Sequence, residues 1–169
     1  MGCGKTTLGR AVAEHTGVRF IDLDDYIEER QGCSVKEIFA CRGEDAFRAI
    51  EREALIEVSC SSDTFVACGG GTPCFGDNMD VMNSRGITVY LTAPHHRLLA
   101  RLKEGREKRP LIASLSDDEL DAFIARQMEW RHPHYSRAKL TFDSSRLENT
   151  EQVSESVDRF LKLISSYES

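Results

Sequence analysis

The sequence predicts an α/β fold, a parallel sheet covered by helices on both faces, and three observations carry that prediction. Short apolar runs such as Thr64-Phe65-Val66-Ala67-Cys68 and Ile87-Thr88-Val89-Tyr90-Leu91 alternate with amphipathic helical stretches along the whole chain. Parallel neighbours need a crossover between them, so this alternation implies a parallel sheet. Gly4-Lys5-Thr6 opens the first helical stretch, the ending of a phosphate-binding loop. Gly69-Gly70-Gly71 runs directly out of a buried-type strand, where a backbone without side chains lets a ligand approach closely.

The elements follow in order. Residues 6–15 read as a helix with apolar positions at Leu8, Ala11, Val12 and Ala13, stopped at Gly17. Residues 18–21 form a short strand ending in Asp22-Leu23-Asp24-Asp25, and residues 26–30 begin a helix broken at Gln31-Gly32. Ser34 caps residues 35–40, with Glu37 at the capping-box position. Gly43 separates this turn from a long helix over 44–59. The strand at 64–68 is followed by a helix over 77–84, a strand over 87–91 and a helix over 94–103. A charged loop spans 104–110; Ser116 then caps a helix to about Arg131, which Pro133 should end. A last strand covers 139–142 and a closing amphipathic helix 151–164. Four strands are legible, and a phosphate loop should follow a fifth.

Composition bounds the function. At 169 residues the chain is one ordinary domain, with a hydrophobic share of 40% and a charged share of 30%. The formal net charge of −6 argues against a nucleic-acid partner. No run approaches a membrane span and no export signal is visible, so a cytoplasmic location is expected. The six cysteines form no CxxC pair and read as reduced thiols. His95-His96, His132 and His134 lack the Cys or carboxylate spacing of a structural zinc site.

Several constellations can carry chemistry. Backbone N–H groups from Gly2 to Thr6 at a helix N-terminus would face a di- or triphosphate, Lys5 would bridge the outer phosphates, and the Thr6 hydroxyl would meet Mg²⁺. The plain alternative is a Gly-rich tail capping a helix. Asp22 and Asp24 flank Leu23 at the C-terminal end of a strand, the edge where open parallel sheets bind ligands. One carboxylate could hold the metal and the other accept a proton from an attacking hydroxyl. Alternatively Asp24 or Asp25 caps the next helix, Asp25 being the better candidate for that role. Arg48 and Arg131 are either helix-surface cations, Arg48 paired with Glu44 or Glu51, or carboxylate clamps. The basic run Arg106-Glu107-Lys108-Arg109-Pro110 is either a solvated loop or a lid carrying an arginine onto a transferring phosphoryl group.

Taken together, Gly4-Lys5-Thr6-Thr7-Leu8-Gly9, Phe20-Ile21-Asp22-Leu23-Asp24, Ile38-Phe39, Gly43 to Glu51, Gly69-Gly70-Gly71, Arg109-Pro110-Leu111 and Arg131-His132-Pro133-His134-Tyr135 resemble shikimate kinase, a P-loop kinase of the nucleoside-monophosphate-kinase-like group. The resemblance spans nearly the whole chain. It implies transfer of the ATP γ-phosphate to the 3-hydroxyl of shikimate, with Mg²⁺ as cofactor. It also implies a single P-loop domain over 1–169, with acceptor-binding helices at about 25–60 and a lid at about 103–118. A monomer with no nucleic-acid or membrane partner is expected. By the same resemblance Gly2, Cys3, Gly4, Lys5, Thr6, Thr7 and Arg109 serve ATP, and Thr6 and Asp22 the metal. Asp24, Arg48, Gly70, Gly71 and Arg131 serve shikimate, with Asp24, Lys5 and Arg109 catalytic. Phe39 and Phe47 would shape the acceptor pocket, and Arg101 would lie against the adenine.

The departure from the family pattern is at the start. The first loop glycine and the strand before it would precede Met1, and in the implied strand order 2-3-1-4-5 that strand is the central one. The expectation is that the working protein is longer, beginning upstream of this Met. Two other functions remain open on the residues: a P-loop kinase for another small hydroxy acid such as gluconate, and a non-catalytic nucleotide-binding module. The paired arginines and the glycine triplet favour shikimate.

Overall fold

The computed structural model describes residues 2–106 and 112–169. Its elements are α1 (Lys5–Thr16), β1 (Arg19–Asp22), α2 (Leu23–Gln31), α3 (Val35–Val58), β2 (Thr64–Ala67), a 3₁₀ turn (Thr72–Cys74), α4 (Asn78–Arg85), β3 (Val89–Thr92), α5 (His95–Glu104), α6 (Asp117–Tyr135), β4 (Leu140–Asp143) and α7 (Thr150–Glu168). β1 and β2 pair in parallel, with Arg19 opposite Thr64 and Asp22 opposite Ala67. β3 and β4 do the same, from Val89 opposite Leu140 to Thr92 opposite Asp143. Among the described residues no strand links the two pairs. They correspond to the 2-3 and 4-5 ends of the expected five-strand order.

The two pairs are tied together through α7 and α1. Phe160 on α7 stacks against Phe65 on β2, with ring centroids 5.7 Å apart, and against Phe142 on β4 at 5.3 Å. Leu8 and Val12 of α1 join Leu91, Phe142, Val157 and Phe160 in the same cluster. Gly9 permits this approach: a Cβ there would lie 2.5 Å from Phe20 and 2.7 Å from Phe65. A second cluster packs α2 and α3 together through Leu23, Ile27, Ile38, Phe47, Leu55 and Val58, with Ile21 of β1 and Val66 of β2 against it. A third joins Leu102 of α5 to Ile112, Leu120 and Ile124.

Local sequence signals account for most element ends. Ser34 and Glu37 form a capping box at the head of α3, and Ser116 with Glu119 repeats it at α6. Gly17 and Gly32 close α1 and α2 in the left-handed region, at φ 78 and 65°. Gly43, at φ 80° and ψ 175°, breaks α3 into the two helical pieces that the sequence implies. Three expectations are corrected. Pro133 does not end α6, which continues to Tyr135. Its missing N–H costs one bond within the last turn, to the carbonyl of exposed Glu129, so the helix tolerates it. The cap of α2 is neither Asp24 nor Asp25 but Asp22, whose Oδ1 accepts from the Asp24 N–H at 3.2 Å. The closing helix starts earlier, capped by Asn149 accepting from the Gln152 N–H at 2.9 Å. No helix of the described residues is long and apolar enough to cross a membrane.

Candidate active site

At the C-terminal end of β1 and β2 lies a cleft of about 640 Å³, lined by Gly2, Gly4 to Thr7, Asp22, Asp24, Cys68, Gly69, Gly70, Arg101, Glu104, Leu147 and Glu148. The loop from Gly2 enters α1 at its N-terminus, the end whose free N–H groups and dipole favour an anion. Gly2 and Gly4 have φ of 71 and 80°, a region that residues with a Cβ seldom adopt. At Gly4 a Cβ would also strike Leu147 Cδ1 at 2.4 Å. Lys5 makes no ion pair among the described residues, its nearest hydrogen-bond partner being Cys3 Sγ at 4.0 Å. Cys3 itself packs against the α1–α7 cluster.

Thr6 and Asp22 form the next layer. The Thr6 hydroxyl donates to Asp22 Oδ2 at 3.0 Å, while the other carboxylate oxygen caps α2. Asp24 stands one residue into α2, so both carboxylates reach the cleft while Leu23 between them is fully buried. Burial, then the nearby Asp22 and Glu51 carboxylates, push the Asp24 carboxyl up from 3.8 to about 6 against the pull of Lys5. The neighbouring Cys68 thiol is pushed up to about 12, chiefly by burial, and stays a neutral thiol.

The glycine triplet explains itself residue by residue, because each glycine faces a different charged side chain. A Cβ at Gly69 would lie 3.1 Å from Asp24 Oδ1, at Gly70 2.6 Å from Arg131 Nη1, and at Gly71 3.0 and 3.1 Å from the two terminal nitrogens of Arg48. Three bare residues therefore let one carboxylate and two guanidiniums crowd the same backbone. Arg48 donates to Glu44 through Nε (3.3 Å) and Nη2 (3.0 Å), and to Glu51 through Nη1 (2.8 Å). Both helical pairings read from the sequence, to Glu44 and to Glu51, are present. Of five N–H donors three are used, which leaves one on each terminal nitrogen. Arg131 Nε is buried with no acceptor among the described residues. A buried guanidinium N–H without an acceptor is uncommon, and such a group can take a carboxylate or other anion.

The sequence missed the frame behind these groups. Glu51 is 1% exposed and accepts from the Thr72 hydroxyl at 2.7 Å as well as from Arg48. Tyr135 donates its hydroxyl to the Gly70 carbonyl at 2.6 Å, and burial pushes that phenol up to about 12. Asn78 donates to the Thr72 carbonyl at 2.9 Å, locking the turn after the glycines. Only Arg48's helical spacing to Glu51 offered a clue, and it reads equally as a surface pair. Phe39 and Phe47 stack at 4.4 Å beside Arg48. Arg101 borders the cleft but donates to the Ser144 and Ser145 carbonyls and to Glu148. Arg109 lies outside the described residues. At the edge of that segment, Arg106 pairs with Asp117 and donates to the Leu115 carbonyl at 2.8 Å.

A glycine-rich loop at a helix N-terminus, an unpaired lysine on it and a hydroxyl–carboxylate pair beside it define a P-loop phosphotransferase. Known proteins narrow the class. The family model described as shikimate kinase matches residues 1–164. The shikimate kinase of Phocaeicola vulgatus is 48% identical over 162 residues, covering 96% of this chain and 93% of that protein. That of Parabacteroides distasonis is 44% identical over 164 residues, covering 97% and 95%. The crystal structure of shikimate kinase from Bacteroides thetaiotaomicron superposes with a TM-score of 0.95 at 44% identity, over 98% of this chain and 94% of that one. Shikimate kinase from Acinetobacter baumannii, solved in complex with shikimate, gives a TM-score of 0.84 at 32% identity, over 99% and 89%. The chain belongs to the shikimate kinase family, enzymes that phosphorylate shikimate at the expense of ATP.

Proposed function

We propose that the cleft moves the γ-phosphate of ATP to the 3-hydroxyl of shikimate, with Asp24 accepting the hydroxyl proton and Arg48 and Arg131 gripping the carboxylate. One observation supports this above the others: the glycine triplet crowds Asp24, Arg131 and Arg48 around one backbone, directly beside the phosphate loop. The chemistry is complementary to the acceptor. A hydroxylated acid needs an anion to hold its hydroxyl and cations to hold its carboxylate. The orphaned Arg131 N–H and the two spare Arg48 N–H groups fit the second requirement.

The loop N–H groups and Lys5 bind and orient the phosphates, since phosphoryl transfer depends on positioning and charge neutralisation. Asp24 is suited to the proton: a carboxylate near 6 is ionised at neutral pH yet more basic than an ordinary one. Thr6 Oγ1 and Asp22 Oδ2 would hold Mg²⁺ directly or through its waters, a pair of hard oxygen donors suited to that ion. When bound, the ion would neutralise charge on the phosphates. Arg109 enters this reading as a phosphate-facing lid arginine on the family resemblance alone.

The test is ATP consumption with shikimate, with gluconate and with no acceptor, the product being located by phosphorus NMR. The reading predicts phosphorylation of shikimate at the 3-hydroxyl and near-background turnover otherwise. Equal use of gluconate would remove the acceptor assignment, and no turnover with either would favour a nucleotide-binding module.

A further inference from the structure

The turn that follows the glycine triplet carries an aromatic group that the reaction has not yet used. Phe75 closes the 3₁₀ turn, and its ring centroid lies 3.7 Å from Arg48 Cζ, a stacking distance. Phe75 also meets Trp130 edge-on, with centroids 5.8 Å apart and planes at 62°. Trp130, the chain's single tryptophan, precedes Arg131 on α6 and lies 5.9 Å from that guanidinium. A continuous row therefore runs from Arg48 on α3 through Phe75 to Trp130 and Arg131 on α6.

The ion pairs of Arg48 do not by themselves aim it. Glu44 and Glu51 sit on its own helix, four residues before and three after, and hold the edge of the guanidinium. A planar cation held by its edge can still tilt. Phe39 and Phe47 of its own helix approach it at 5.8 and 5.1 Å, but the nearest ring face comes from a different element, the turn attached to Gly71, and fixes the plane relative to the acceptor pocket. That turn is itself rigid: Thr72 is fully buried, and Cys74 N–H donates to the Gly71 carbonyl at 2.8 Å. We propose that Phe75 is a positioning residue for acceptor recognition, setting by stacking the tilt of Arg48 and, through Trp130, its spacing from Arg131.

This inference rests on the acceptor reading above, in which the two arginines share one carboxylate. Phe75→Leu keeps an apolar side chain and removes the π face. The expected result is about a ten-fold rise in KM for shikimate, with kcat and the KM for ATP changed far less. The carboxamide of shikimate, which offers no anion, should suffer much less, so discrimination between the two acceptors narrows. Phe75→Tyr keeps the face and should restore the wild-type KM. Should Phe75→Leu fail to fold, Trp130→Leu at a half-exposed position should give the same narrowing, more weakly. An unchanged KM, or equal losses on shikimate and its carboxamide, would overturn the proposal. Absence of shikimate phosphorylation by the wild-type protein would instead strike the acceptor reading.

Discussion

Asp24 is a carboxyl whose surroundings differ sharply from water. Its carboxyl is raised above the unfolded value, so between about pH 4 and 6 the folded chain binds a proton that the unfolded chain does not. Stability from this group therefore falls as pH rises through that window and stays low above it. The shift corresponds to a few kcal/mol at most, and about 2 kcal/mol is a reasonable scale for this partly solvated group. Asp24→Asn should then raise the melting temperature at pH 8 by roughly 4–8 °C and by little at pH 4. Thermal unfolding of both proteins across this range checks it; an unchanged or lower value at pH 8 would show that the carboxylate carries no such cost. In the wild type, kcat/KM should fall as pH drops through about 6. Much of this site was legible by residue type, because phosphate loops and paired carboxylates need particular groups at particular spacings. Glu51 was not legible. A glutamate three residues after an arginine on a helix looks the same buried or exposed, and only the fold puts Thr72 against it.

At the scale of elements, close helix–sheet approach is the constraint that local pattern hides. Gly9 sits inside α1, where glycine weakens a helix, yet it is where Phe20 and Phe65 press against the helix. Gly9→Ala should destabilise by about 1–3 kcal/mol despite the better helix propensity, because overpacking outweighs it. Chemical denaturation would check this, and a more stable alanine variant would contradict the packing account. Caps show the other side. Ser34 was readable with Glu37 three residues later and Ser116 as a bare serine cap, whereas the asparagine Asn149, inside a polar loop, gave no such signal. Its side chain still accepts the first-turn N–H, so Asn149→Ala should cost about 1 kcal/mol in the same measurement. Pro133 misled because proline breaks helices in their interior, and it lies in a last turn that ends two residues later.

Over the whole molecule, the site exists because β1 and β2 end together. Residues from positions 5 to 131 meet at that edge: Lys5 from α1, Asp24 from α2, Arg48 from α3, Gly70 after β2 and Arg131 from α6. Alternation of strands and helices made the parallel sheet legible. The order of strands was not in that pattern and came from the resemblance, since local periodicity carries no information about which strands become neighbours. The central claim is that these distant residues serve one phosphoryl transfer in which Asp24 takes the proton. Turnover of ATP with shikimate by wild type and by Asp24→Asn, compared at pH 7.5, tests it most directly. The account predicts a loss on the order of 10²–10⁴-fold in kcat for the variant, with shikimate and ATP still bound and the fold intact. Turnover by Asp24→Asn within about two-fold of wild type would contradict it.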